Sequence, residues 1–295
     1  MAGGGSVWEA LGPATVRGAE SFLLKSAIVD QTFHIDVATP ARRDDKRLPV
    51  IYTLDGSYGF ALGAQAISLL QSGRGLPQAI VVGIGYPAGL GVKKIQALRF
   101  RDFCPTAAPQ FLDSVRGTLP PGELPPDVRP GGAEAFLDFI TRELKPAIET
   151  HFAVDTKDQT LVGMSLGGLF TLHTLFSAPE SFQRYLALSP SIWWDERAIL
   201  EQERTFAKNR SDLPVNLFLS IGALEEAEHG AARMVSNLYE LDAILRGRKY
   251  PSLRLAMEVF ANESHVSVYP ASLTRGLRTV FGTAPGTSDW AKLPG

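Results

Sequence analysis

The chain has 295 residues, 45% of them hydrophobic and 20% charged, with a formal net charge of −2 and a single cysteine, Cys104. These values exclude wholesale disorder, an intramolecular disulfide, a cysteine metal cluster and the basic excess that binding to nucleic acid or anionic membrane requires. The length suits one α/β domain with insertions and a large core.

Residues 1–18 are glycine-rich and weakly patterned, as in a frayed lead-in, and residues 19–295 read as one domain. The N-terminus lacks a basic segment followed by an apolar run of signal-peptide length. Nowhere do about 18 uninterrupted apolar residues occur, so no membrane span is expected and a cytoplasmic protein is.

FLLKSAI and TFHIDVA are short β-favouring runs around a turn near residues 29–31, which predicts two antiparallel leading strands. LPVIYTL, from residue 48, is a continuous apolar run of the kind a strand buried on both faces needs. A helix around residues 60–70 precedes the buried run QAIVVGIGY, and a longer helix over about 133–150 precedes QTLVGM. The alternation continues: LFTLHTLF as helix, RYLALS as strand, a glutamate-rich helix near 195–207, and VNLFLSIG as strand. ARMVSNLYELDAILRG then reads as helix, LRLAMEVF as strand and ASLTRGLRTVF as the closing helix. Strands alternating with helices imply a mainly parallel sheet flanked by helices. The proline-rich residues 104–131 support neither helix nor strand over most of their length, and a loop this long reads either as disordered or as functional, in the form of a lid or pocket wall.

Chemistry concentrates at Gly163-Met164-Ser165-Leu166-Gly167, a GxSxG sequence between a strand run and a helix run. That is the context of the nucleophile elbow of α/β-hydrolases, where a sharp turn exposes the serine at the carboxyl end of the sheet and the following helix aims its amides at the oxyanion. A serine needs a base, and five histidines are available. His34 and His151 precede the nucleophile strand, His173 lies two turns into the nucleophile helix where a packed role is expected, and His229 follows an acidic cluster. His265, in the loop after the last strand, fits the fold's order of serine, acid, histidine. The acid belongs after VNLFLSIG, where Glu225 is the candidate and Glu226 the alternate. The amide of Leu166 is one expected oxyanion donor, and that of Ser57, in the loop after LPVIYTL, is the other.

Together these segments resemble the putative-esterase family of α/β-hydrolases, which includes siderophore esterases, esterase D-type enzymes, feruloyl esterases and mycolyltransferases. The resemblance covers roughly residues 20–282 through YTLDGSYGF, VVGIGYP, RFRDFCP, GMSLGGLF, LSPSIWW, SIGALEE and ESHVSVYPASL, and is greatest to the siderophore-esterase-like branch. It implies Ser57 as an oxyanion donor and Glu225 as the acid. Arg99 and Asp102 match an RxxDxTP pattern of that branch, with Cys104 in place of the threonine. They read as an ion pair shaping the loop, with Arg99 also a candidate substrate contact. Trp193 and Trp194 fit either a substrate pocket or the core.

The expected activity is therefore hydrolysis of a small-molecule carboxylic ester through Ser165, His265 and Glu225 with an acyl-enzyme intermediate and no metal or organic cofactor. Siderophore trilactone hydrolysis, thioester hydrolysis and acyl transfer use the same residues, and a non-catalytic binding module would retain the fold alone. A homo-oligomer is compatible with the sequence.

Overall fold

The computed structural model describes residues 15–40, 46–73, 75–118 and 128–282. Most of the expected N-terminal lead-in therefore lies outside the described residues, as do residues 119–127 of the proline-rich segment.

The chain order is β1 (Ala19–Ser26), β2 (Gln31–Ala38), β3 (Leu48–Thr53), α1 (Gly56–Ser72), β4 (Ile80–Gly85), α2 (Gly91–Phe103), α3 (Pro109–Thr118) and α4 (Ala133–Phe139). A single π-helical turn (Ile140–Leu144) joins α4 to α5 (Lys145–His151), and β5 (Val154–Met164), α6 (Leu166–Ser177) and β6 (Arg184–Leu188) follow. The last elements are α7 (Trp194–Asn209), β7 (Asn216–Gly222), α8 (Glu225–Glu228), α9 (Met234–Arg248), β8 (Arg254–Phe260) and α10 (Tyr269–Val280).

The strands form one sheet in the order β1-β2-β4-β3-β5-β6-β7-β8. β1 and β2 are antiparallel, β2 pairs antiparallel with β4, and every other pairing is parallel. This is the expected α/β-hydrolase architecture. Side chains alternate across each strand, so Ile51, Val81, Val162, Leu186 and Phe218 pack beneath α1 and α10. Tyr52, Val82, Leu161, Tyr185 and Leu219 face the larger opposite layer, with Phe170 of α6, Phe136 of α4 and Leu241 of α9. Burial on both faces explains why these strands read as apolar runs rather than as alternating patterns.

Two differences from the sequence reading have local causes. The first turn falls at residues 27–30, where Asp30 takes φ +50°, slightly earlier than expected. Within the proline-rich segment α3 forms: Pro109 opens the helix, where its missing N–H costs nothing, and Leu112 is buried while Phe111 packs on Trp193 and Trp194. Among the described residues no helix is long and apolar enough to cross a membrane.

Candidate active site

Ser165 sits between β5 and α6 with φ 59° and ψ −121°, a backbone state that costs on the order of 1–3 kcal/mol and persists only where the surroundings impose it. Three hydrogen bonds impose it. Ser165 N–H donates to Leu188 O at 3.0 Å, and Ser165 O accepts from Leu169 N–H at 2.9 Å and Ser191 N–H at 3.1 Å. A Cβ on Gly163 would lie 2.0 Å from Gly167 O, and one on Gly168 would lie 2.9 Å from Leu188 O. On Gly167 it would meet Leu54 at an ordinary 3.5 Å, so the tight positions are 163 and 168 rather than both glycines of the motif. Gly163→Ala is expected to destabilise the chain by about 3 kcal/mol or more, seen as a lowered urea midpoint. Wild-type stability in that variant would show the elbow to be differently built.

The acidic turn after β7 divides into two roles. Glu225 is fully buried; its Oε1 accepts from Ser189 Oγ and from Gly222 N–H, both at 2.7 Å, and its Oε2 lies 2.6 Å from His265 Nδ1. Burial pushes this carboxyl up, but the bonds from His265, Ser189 and Gly222 outweigh it and hold the group below the usual carboxylate range. Glu226 points away from His265. It accepts from Val235 N–H at 2.8 Å, from Ser236 N–H at 3.0 Å and from Ser236 Oγ, at the N-terminus of α9 where a negative charge is favoured.

His265 is held by its own N–H, which donates to Glu228 Oε2 at 3.1 Å. Its side chain and Ser165 border one cavity of about 500 Å³ at the carboxyl end of the sheet, with Leu54, Asp55, Tyr58, Leu62, Arg99 and Tyr269 in the wall. Ser165 Oγ contacts Ser191 Oγ at 3.5 Å, and among the described residues no hydrogen bond joins it to His265. Leu166 opens α6, so its amide has no acceptor within the helix. Ser57 does not border the cavity: its hydroxyl accepts from Tyr86 N–H and donates to Tyr86 O, each at 3.2 Å, so only its backbone amide, in the first turn of α1, is left for the expected role.

The RxxDxTP residues do not pair with each other, contrary to the expected Arg99–Asp102 ion pair. Arg99 forms a bidentate bridge to Asp55 at 2.6 and 2.9 Å, fixing a residue whose φ is +56°, and its Nη1 donates to Gln96 Oε1. Asp102, fully buried, is bound by Arg101 and by the Tyr86 hydroxyl at 2.8 Å. Cys104 is also fully buried, so the departure from threonine falls in the core and not in the cavity wall. Trp194 is buried, donating to Thr106 Oγ1 at 3.0 Å, and Trp193 meets it edge-on and packs at a tilt against Phe111. Neither tryptophan lines the cavity that Ser165 and His265 border.

Of the other histidines, His173 bonds Gln202 at 3.0 Å, with its pKa lowered by burial, in the packed role expected of it. His34 faces Asp36, and His151 bonds the Ala147 carbonyl. Sequence reasoning passed over Asp55, Ser189 and Tyr269; the phenol of Tyr269, pushed up to about 12 by burial, is a neutral cavity wall.

Residues 126–232 match the protein family described as "Putative esterase". Ferri-bacillibactin esterase BesA of Bacillus subtilis is 35% identical over 273 residues, spanning 90% of this chain and 90% of that one. The chain belongs to the putative-esterase family, in its siderophore-esterase-like branch. A second member, the siderophore triacetylfusarinine C esterase of Aspergillus fumigatus, is 31% identical over 94% of this chain and 96% of its own. Among solved structures, the BES protein from Bacillus cereus superposes with a TM-score of 0.77 at 33% identity, covering 94% of this chain and 99% of that one. This family member is a carboxylic ester hydrolase.

Proposed function

We propose that the enzyme hydrolyses the ester bonds of a siderophore through Ser165, His265 and Glu225 by way of an acyl-enzyme. Ser165 Oγ attacks the ester carbonyl and passes its proton to His265 Nε2; the tetrahedral oxyanion is held by the Leu166 amide and by the first turn of α1, where Ser57 sits. The alcohol leaves with the proton from His265, and water repeats the two steps to free the acid and the serine. Glu225 keeps His265 in the Nδ1–H tautomer and balances the imidazolium. The observation that carries the reading is the 2.6 Å contact between His265 Nδ1 and the buried Glu225 carboxylate, on the wall of the cavity that Ser165 also borders. The siderophore as substrate is supported by the activities for which BesA and the triacetylfusarinine C esterase are named, relatives that match this chain over nearly its whole length. Arg99, on the cavity wall, stands within reach of an anionic or chelating part of such a substrate while it holds Asp55.

A comparison of kcat/KM for a ferric siderophore ester, a short-chain aryl ester and a thioester of the same acid tests this. The siderophore ester is expected to exceed both by at least about tenfold, as extra substrate contacts add to transition-state binding. Preference for the thioester would favour a thioesterase of the same fold.

A further inference from the structure

A second imidazole lies beside the proposed base. His229 follows Glu225 by four residues, and its N–H donates to Glu225 O at 3.2 Å, so the two side chains leave the same side of α8. His265 meets them from the loop after β8. One ligand atom from each of Glu225, His229 and His265 lies within 4.8 Å of the other two. The two imidazoles stand 5.1 Å apart, nearly perpendicular at 82°. His229 is exposed, and no hydrogen bond occupies its ring nitrogens among the described residues. Two imidazoles and a carboxylate, one of them open to solvent, form a donor set suited to a borderline divalent transition ion and not to the hard, oxygen-seeking magnesium or calcium.

We propose that Glu225, His229 and His265 form an inhibitory site for a divalent transition-metal cation of the zinc type. The inhibitory consequence rests on the reading of His265 as the base. Zinc–nitrogen and zinc–oxygen bonds of about 2.1 Å set tetrahedral donor separations near ~3.4 Å. The 2.6 Å contact of His265 Nδ1 with Glu225 Oε2 opens to admit the ion, and the exposed His229 turns inward to close on it. For the ion to take the Nδ1 lone pair, the proton there moves to Nε2 through solvent, so the imidazole stays neutral and no net proton is lost. Nε2 then carries an N–H and has no lone pair with which to accept the Ser165 proton. The first step stops. The metal therefore competes with the tautomer that Glu225 enforces and not with substrate for the cavity, which predicts a loss in kcat rather than a rise in KM.

The test uses untagged wild-type enzyme and His229→Ala, titrated with zinc alone, set by a metal buffer. Binding is read by calorimetry, and turnover on a short-chain aryl ester. Wild type is expected to bind one zinc with inhibition that follows occupancy and is reversed by chelation, while magnesium at the same concentration does nothing. His229→Ala is expected to keep its zinc-free rate within twofold and to need at least about tenfold more zinc for half-inhibition. Equal inhibition of both proteins, or no binding to wild type, would overturn the site. Zinc binding that depends on His229 but leaves turnover intact would overturn the inhibitory role. His265→Ala separates that result from a wrong base: if it keeps wild-type turnover, the proposed function fails whether or not zinc binds.

Discussion

Ser165→Ala is expected to lower kcat for ester hydrolysis by about 10⁵- to 10⁶-fold, because a nucleophile and its base act as a unit and little is left once either is removed. What remains would come from the oxyanion amides and from substrate binding, neither of which needs the hydroxyl. The fold is expected to survive. The elbow is held through backbone bonds to Leu188, Leu169 and Ser191, and the hydroxyl itself makes only a 3.5 Å contact with Ser191 Oγ. Alanine occupies the strained φ of 59° at no greater cost than serine does. Initial rates alongside circular dichroism and a urea titration separate lost chemistry from lost structure, and a folded Ser165→Ala enzyme with substantial turnover would remove Ser165 from the chemistry.

Glu225→Gln is expected to cost about 10⁴-fold in kcat with a smaller effect on KM. Ser189 Oγ and Gly222 N–H both donate to Oε1, so the glutamine oxygen is held there and its amide nitrogen faces His265. An N–H donor in that place turns His265 Nδ1 into an acceptor and moves its proton to Nε2, the tautomer that cannot take the serine proton. The same substitution at Glu226 should leave kcat nearly unchanged, since that side chain caps α9. Rates of the two variants on one ester check the assignment; comparable losses in both would break it. Stability carries a second signature. Because the folded-state pKa of Glu225 lies below the usual value, its ionisation stabilises the fold at neutral pH, and that contribution disappears as pH falls from the ordinary carboxylate pKa through the lowered folded value. Melting curves taken from pH 7 downward should therefore fall less steeply for Glu225→Gln than for wild type.

The sheet is legible because strands buried on both faces leave unbroken apolar runs, and the strand-to-helix turn at Ser165 because GxSxG lies between a strand run and a helix run, although the crowded position after the serine is 168 rather than 167. Chain order points to His265, which the loop after β8 carries to the wall of the cavity that Ser165 borders. Chain position puts Glu225 ahead of Glu226, and their different roles come from helix geometry: one residue along a helical turn rotates a side chain by about 100°, which sends Glu225 to His265 and Glu226 to the start of α9. The Arg99–Asp55 bridge joins residues 44 positions apart, and nothing local marks it. Arg99 and Asp102 read from the RxxDxTP pattern as an ion pair shaping a loop, yet they lie in α2, which turns Arg99 to the cavity and Asp102 to the core. Ser189 stayed hidden for a similar reason: its hydroxyl matters only because β6 and β7 are adjacent, which brings the end of one strand over the acid that follows the other. Helix α3 lies among prolines that argue against regular structure, and packing of Phe111 against Trp193 and Trp194, which no local pattern marks, stabilises it.

Covalent labelling tests the central claim most directly. After incubation with an alkyl organophosphonate, intact-mass and peptide mapping are expected to show one adduct per chain, on Ser165, formed in step with loss of esterase activity and strongly slowed in His265→Ala. Complete inactivation with Ser165 unmodified, or a Ser165 that never reacts in an active enzyme, would contradict the account.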